Sequence, residues 1–254
     1  MQASTQSIAY DPEYQRFVAH RRDQILARVE RAARVAGRDP SEVTVIAVSK
    51  TVDVDKVAAA LAAGYSAFGE NRPQELERKL GLVAQDPAFD GVAFHMIGNL
   101  QPNKINHVLA CRPALIHSIA SPELAQAVSK RCVARDMVQP VLFEVNVSGE
   151  QSKSGMTPEE AREAFEGMCA LPGIEARGLM TMAPRNDPEV ARETFAGLHA
   201  LFDELASAAK PEVAGHFSEL SMGMSDDFEE GIRQGATIIR LGRVVFDPEY
   251  PFDD

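Results

Sequence analysis

Lys50 is the residue whose position first suggests covalent chemistry. It comes directly after an apolar run, residues 43–49, that is typical of a buried β-strand. A solvent-exposed lysine that opens a loop is the common arrangement at such a point. The alternative is a Schiff-base lysine, because desolvation beside another cation favours the neutral amine that attacks an aldehyde. The residues around Lys50 leave both interpretations open.

Two segments rich in serine and glycine follow later strand candidates. Residues 221–225 read Ser-Met-Gly-Met-Ser, and Gly242 follows the apolar run 237–241. Glycine lets backbone N–H groups approach oxygen atoms closely, although ordinary turns use the same residue types. Acidic residues follow directly at 226, 227, 229 and 230 and disfavour an anion at that helix start. We therefore expect a bound phosphate nearer Ser221 and the backbone of Gly242 and Arg243.

Arg240 is a charged residue inside an otherwise apolar strand candidate. A buried arginine needs a partner, because an unpaired charge in the interior is costly. That partner is either a carboxylate in an ion pair or the aromatic nitrogen of a cofactor. A lysine, a phosphate cradle and an arginine fit pyridoxal 5′-phosphate (PLP), but their spacing supports it only weakly.

The elements that must position these residues alternate along the chain. A helix is expected at residues 11–36, and helical stretches separate eight strand candidates at 43–49, 67–69, 92–97, 114–119, 141–147, 174–180, 217–220 and 237–241. This pattern predicts an α/β fold, a single (β/α)₈ TIM-barrel domain over residues 1–254 with an extra N-terminal helix. A doubly wound open sheet is the alternative, but no Gly-x-Gly-x-x-Gly follows an early strand. Barrel active sites lie at the carboxyl ends of the strands, which selects Lys50, Asn71, His95 and the later loops.

Composition restricts the class of protein. The 254 residues include 26 Lys and Arg and 37 Asp and Glu, for a net charge of −11, which argues against nucleic-acid binding. No apolar run is long enough for a membrane span, and the first residues do not resemble a signal peptide. The three cysteines and six histidines show no metal-ligand spacing. Reduced thiols and a cytoplasmic location are expected.

Several longer strings, in order, carry a resemblance to a known family. They are AVSKT (47–51), FGEN (68–71), HMIGNLQPNK (95–104), VN (145–146), SKSG (152–155), GLM (178–180) and LSMGMSDD (220–227). These strings resemble the pyridoxal phosphate homeostasis protein family, the one-domain relative of the alanine racemase N-terminal barrel. The resemblance extends from about residue 43 to residue 246.

The resemblance implies a fold-type III barrel that binds PLP and takes part in vitamin B6 homeostasis, with little or no catalysis. It implies no catalytic residue, and no metal is expected because the histidines show no ligand spacing. The cofactor-binding residues that it implies are Lys50 for the aldimine, Asn71 near the ring, Arg240 at the pyridine nitrogen, and Ser221, Gly242 and Arg243 at the phosphate. Apo-enzymes that receive the cofactor are candidate partners, and a monomer is expected.

The sequence departs from the family pattern at three places. Phe94 stands where tryptophan is usual, and residues 247–250 replace a glycine ending. Arg243 stands where a small hydroxyl residue is usual. Its side chain either folds back to the phosphate or points outward to a carboxylate such as Asp247, and we expect the outward orientation.

An amino-acid racemase or another PLP-dependent enzyme is the alternative function. Racemisation needs acid/base groups on both faces of the substrate α-carbon, and in the alanine racemases a tyrosine from an additional domain of a partner subunit supplies one. The four tyrosines here, at 10, 14, 65 and 250, follow no strand candidate. An arginine at the pyridine nitrogen also does not give up its proton and so weakens the ring as an electron sink. Both features favour the homeostasis function.

Overall fold

Eight parallel strands form a closed barrel in chain order. The computed structural model describes residues 7–185 and 187–252. The strands are β1 Thr44–Val48, β2 Ala67–Glu70, β3 Ala93–Met96, β4 Leu115–Ile119, β5 Gln139–Glu144, β6 Ile174–Met180, β7 Glu219–Ser221 and β8 Ile238–Leu241. Strand β8 pairs with β1, with Ile46 beside Arg240. The predicted (β/α)₈ barrel is confirmed.

Helices surround the barrel. They are α1 Pro12–Val35, α2 Val54–Ala62, α3 Pro73–Val83, α4 Ile105–Cys111, α5 Pro122–Val133, α6 Pro158–Cys169, α7 Pro188–Ala208, α8 Pro211–Ala214, α9 Phe228–Arg233 and α10 Arg243–Phe246, with short 3₁₀ helices at Pro40–Glu42, Pro87–Phe89 and Pro102–Lys104. None of the described helices has the length and apolarity needed to cross a membrane.

Proline after a capping residue starts several of these helices. The side chains of Ser121, Thr157 and Asp187 each accept a hydrogen bond from a backbone N–H of the first turn. Thr157 and Glu160 form a full capping box. These local signals explain why the starts of α5, α6 and α7 agree with the sequence.

Two expectations near the carboxyl end of the barrel were wrong in detail. The seventh strand begins at Glu219, because the N–H of Phe217 bonds to the Val213 carbonyl in the preceding turn. The helix expected to start near Ser225 begins at Phe228. The Ser225 hydroxyl instead accepts from the N–H groups of Gly242 and Val244.

The predicted N-terminal helix α1 packs against α2, α9 and α10, the helices that flank the first and last strands. Its residues Val18, Ile25 and Val29 are buried. The buried Arg21 guanidinium donates to the carbonyls of Val244 and Tyr250. Helix α1 therefore ties the C-terminal segment to the barrel.

The barrel interior changes from apolar to polar along the strands. One buried apolar cluster consists of Ile46, Val48, Ala67, Leu115, Leu142, Met180 and Ile238. Alternate residues of a strand share one face. In four strands an apolar residue of this face is followed two positions later by a buried ionisable one, giving His95, His117, Glu144 and Arg240. The polar side chains thus gather toward the carboxyl ends of the strands.

Candidate functional site

Lys50 lies at the carboxyl end of β1 and is exposed. The residue before it, Ser49, is fully buried, and its hydroxyl donates to Glu70, away from the barrel interior. Since Ile46 and Val48 belong to the interior cluster, the alternation places Lys50 on the side of the barrel mouth. Lys50 therefore lies at the rim of the barrel, at the end of the strand where the sequence places it.

Asn71 occupies the corresponding position after β2 and is half-buried. The neighbouring loop after β3 lies very close to it. A β-carbon on Gly98 would lie 2.1 Å from the Asn71 carbonyl oxygen, so only glycine fits there. This close approach brings the ends of β2 and β3 together beside Lys50.

Arg240 is the centre of a hydrogen-bonded network inside the barrel. Its Nη1 donates to the Ser221 hydroxyl at 2.6 Å, and its Nη2 donates to the Thr181 carbonyl at 2.9 Å. Ser221 Oγ lies 2.9 Å from His117 Nδ1, and His117 Nε2 lies 3.1 Å from His95 Nδ1. The network therefore spans the interior from β8 to β3.

The direction of the hydrogen bonds follows from Arg240, which has no acceptor. Ser221 accepts from Arg240, so its own hydroxyl hydrogen is directed at His117 Nδ1. The other nitrogen of His117 then donates to His95. Burial lowers the pKa of His95 to about 4 and the pKa of His117 well below its usual range, so both rings are neutral. His95 is thus a hydrogen-bonded member of the network rather than a charged acid.

Two carboxyl groups act on the buried guanidinium through their charge, although neither forms an ion pair with it among the described residues. Burial lowers the pKa of Arg240 to about 10, and the nearby Asp227 and Glu144 oppose that change, so Arg240 is cationic at neutral pH. Burial raises the pKa of Glu144 to about 7, against the effect of Arg240. Glu144 Oε2 is buried without a hydrogen-bond partner among the described residues.

Gly242 forms a tight turn at the end of β8. Its N–H donates to the Ser225 hydroxyl at 3.3 Å, and the Val244 N–H donates to the same oxygen at 3.4 Å. The preceding turn needs glycine at position 223, where φ is +94° and a β-carbon would be 3.0 Å from the Phe228 Cα. Backbone N–H groups and a hydroxyl therefore converge beside the end of β1.

The Arg243 side chain points outward, as expected. Its guanidinium pairs with Asp226 and lies 5.2 Å from the centre of the Tyr250 ring. The Tyr250 hydroxyl donates to the other carboxylate oxygen of Asp226 at 2.6 Å. The carboxylate is therefore Asp226, not the Asp247 suggested from the sequence.

Comparisons with known proteins agree with this architecture. The sequence model of the alanine racemase N-terminal domain family matches residues 21–248. A relative from Aquifex aeolicus, named pyridoxal phosphate homeostasis protein, is 38% identical over 89% of this chain and 96% of its own length. A relative of the same name from Pseudomonas aeruginosa is 39% identical over 88% of this chain and 92% of its own length. The chain belongs to the pyridoxal phosphate homeostasis protein family.

Solved structures share the fold of this chain. An unknown protein from Bifidobacterium adolescentis is 36% identical, with a TM-score of 0.88 over 96% of this chain and 100% of its own. PipY from Synechococcus elongatus, solved with PLP bound, is 30% identical, with a TM-score of 0.74 over 86% of this chain and 99% of its own. Alanine racemase from Corynebacterium glutamicum is 16% identical, with a TM-score of 0.62 over 91% of this chain and 63% of its own, and shows the shared fold.

Several residues of the site in this family member were not identified from the sequence. Glu144 interrupts an apolar strand in the same way as Arg240, so that signal was available for it. His117 is likewise a polar residue in an apolar strand, but its partner Ser221 is 104 residues away. Ser225 has no signal that distinguishes it from Ser221, because only the folded turn shows which hydroxyl meets Gly242.

Proposed function

We propose that this protein binds pyridoxal 5′-phosphate through a Schiff base on Lys50 and acts in pyridoxal phosphate homeostasis. The observation that carries the proposal is the arrangement at the join of β1 and β8. Val48 lies beside Gly242, where a β-carbon would be 3.5 Å from the Val48 carbonyl oxygen, and Lys50 is two residues beyond Val48. An amine, a buried guanidinium and a turn with converging backbone N–H groups thus share one end of the barrel, in a family with a PLP-bound member.

The donor set fits the chemical groups of this cofactor. When bound, pyridoxal phosphate supplies an aldehyde carbon that a neutral lysine amine attacks. Arg240 has five N–H groups, of which two bond to Ser221 and Thr181, so three remain for a ring nitrogen. Asn71, half-buried at the neighbouring strand end, would flank the ring.

We assign the phosphate to the turn after β8. The backbone N–H groups of Gly242 and Arg243 would donate to its oxygens, together with the Ser225 hydroxyl that faces this turn. The Gly242 N–H, which donates to Ser225 here, would turn to the phosphate. Ser221 stays a predicted phosphate ligand from the sequence. Its hydroxyl is buried between Arg240 and His117, which favours a role in orienting Arg240.

The same residues favour binding over turnover. Arg240 retains its proton at neutral pH, because its pKa is about 10. Burial and Asp226 raise the pKa of Tyr250 to about 12, so its hydroxyl does not act as a base. Tyr14 donates to the Phe246 carbonyl, and Tyr65 is buried. A racemase would need a second base, and these tyrosines are poor candidates.

The proposed setting follows from the same function. A monomer that stores the cofactor in the cytoplasm and delivers it to apo-enzymes is consistent with a small binding barrel. Cys111, Cys132 and Cys169 are free thiols, as a reducing compartment requires.

Borohydride reduction tests the central claim. The purified protein loaded with pyridoxal phosphate is reduced and digested, and the pyridoxyl group is expected on Lys50. Lys50→Ala should lose the visible Schiff-base absorbance and the adduct. Lys153→Ala is the matched control, because Lys153 is another rim lysine whose amine bonds to the Ala183 carbonyl. A pyridoxyl group on any other lysine of the unmodified protein would contradict the proposal.

A further inference from the structure

A second lysine, Lys79, is buried directly behind the end of β1. It belongs to α3 on the outside of the barrel, and its side chain is 1% exposed. Its Nζ lies 2.6 Å from Glu70 Oε1 and 2.6 Å from the Ser49 carbonyl oxygen. The Ser49 hydroxyl donates to the same Glu70 oxygen at 2.5 Å. Desolvating two charges is costly, so a buried pair of this kind calls for a reason other than stability.

The three bonds hold the two peptide segments that carry site residues. The Ser49 carbonyl belongs to the peptide bond that joins Ser49 to Lys50. Glu70 directly precedes Asn71. The last backbone bond between the two strands here runs from the Ser49 N–H to the Gly69 carbonyl at 3.0 Å. Beyond that bond, the Ser49 carbonyl accepts from the Val52 N–H at 3.1 Å, within the turn that contains Lys50, and from the Lys79 ammonium. Of these two bonds, the one from Lys79 ties the turn to α3 and to Glu70.

We propose that Lys79, together with Glu70, is a positioning residue that orients Lys50 for Schiff-base formation. The inference rests on the proposed function. In that step the Lys50 amine and the cofactor aldehyde form a C=N bond, and the carbonyl oxygen leaves as water with the two amine hydrogens. Lys79 does not form the Schiff base itself, because its amine is buried and bonded to two oxygens.

Positioning affects the covalent step more than the binding of the ring and phosphate. A small displacement of a reacting group costs about 100-fold in rate when the geometry is otherwise well aligned. The Lys79 ammonium lies on the outer side of β1, between the strand and α3. It therefore does not contact a ligand bound in the barrel mouth. Its loss should therefore weaken only ligands that bond covalently to Lys50.

The experiment compares two ligands that differ at one group. Pyridoxal 5′-phosphate has the aldehyde, whereas pyridoxine 5′-phosphate has the same ring and phosphate without it. The double variant Lys79→Met, Glu70→Gln removes both buried charges together and keeps side-chain volume, so neither charge is left unpaired. Arg78→Met is the matched control, because Arg78 is the neighbouring residue of α3 and makes only exposed pairs with Asp53 and Glu75.

Equilibrium titration of the full-length apo-protein gives the readout. The double variant is expected to lose about tenfold or more in affinity for pyridoxal phosphate, with a slower rise of the Schiff-base band. Its affinity for pyridoxine phosphate should stay within about threefold, as should both affinities of Arg78→Met. Equal weakening of both ligands, or no change in either, would overturn the positioning role.

A milder variant keeps the test valid if the double variant does not fold. Ser49→Ala removes only the hydroxyl that bonds to Glu70, and it should weaken pyridoxal phosphate by about threefold with pyridoxine phosphate unchanged. A Ser49→Ala protein that weakens both ligands equally, or neither, would refute the inference. If the unmodified protein binds pyridoxine phosphate but forms no Schiff base, the proposed function itself fails, and the inference with it.

Discussion

Replacing Arg243 by threonine isolates the contribution of a side chain that departs from the family pattern. The Arg243 and Asp226 side chains are 60% and 46% exposed, and an exposed pair contributes about 0–1 kcal/mol to stability. Contact with the Tyr250 ring adds about 0.5–1 kcal/mol at an exposed site. Both interactions join side chains of the protein to each other and involve no ligand, so they contribute to stability rather than to cofactor affinity. We therefore expect Arg243→Thr to change cofactor affinity by less than about threefold, or about 0.6 kcal/mol.

The assay is equilibrium titration of the apo-protein with pyridoxal phosphate, with a thermal melt of each variant. Gly242→Val provides the contrast. The φ angle of Gly242 is −109°, and a β-carbon there meets nothing closer than 3.5 Å, so the fold accepts a β-carbon at this position, and the thermal melt checks that the variant is folded. A loss of affinity in Gly242→Val, expected at about tenfold or more, therefore reports the approach of the ligand to the backbone.

Two results would refute this reasoning. A tenfold loss for Arg243→Thr, about 1.4 kcal/mol, would show that the guanidinium itself binds the phosphate. Unchanged affinity in a folded Gly242→Val protein would show that the phosphate does not bind at this turn. A melting temperature lower by a few degrees in Arg243→Thr is expected from the lost surface contacts, at about 2–4 °C per kcal/mol for a chain of this size.

Three further predictions concern the hydroxyls, the buried carboxyl group and turnover. Ser225→Ala should lower the affinity for pyridoxal phosphate but not for pyridoxal, whereas Ser221→Ala should lower both affinities, because Ser221 bonds to Arg240. Titration with the two ligands distinguishes these outcomes. The reverse pattern would show that Ser221, not Ser225, binds the phosphate. The pKa of Glu144 is raised from 4.5 to about 7, so the folded state binds the extra proton between these values and stability falls as pH rises through them. We compare the free energy of unfolding of Glu144→Gln with that of the unmodified protein. The difference should favour the variant more at pH 8 than at pH 5, by up to about 3 kcal/mol. Denaturant titrations that show the same difference at both pH values would contradict this. Assays with common amino acids should show racemase and transaminase turnover far below about 10 s⁻¹, and a rate at that level would contradict the binding function.

The sequence by itself determined the features that depend on short stretches of chain. Alternating strand and helix patterns predicted the barrel, and proline after a capping residue predicted the starts of α5, α6 and α7. Lys50 and Arg240 were identifiable for the same reason, since each interrupts or ends an apolar run. Such signals are local, because hydrophobic period and capping chemistry act within a few residues.

Only the tertiary structure decided which side chains meet. The His117 and Ser221 pair spans 104 residues, and the bond between Lys79 and Ser49 spans 30. These contacts exist because the barrel closes and its register brings particular strand ends together. Ser225 and Asp226 acquire their partners in the same way. They lie in the turn that follows β7, and the fold brings that turn beside Gly242 and Arg243. Barrel closure and strand register are properties of the whole chain, and no short segment contains them.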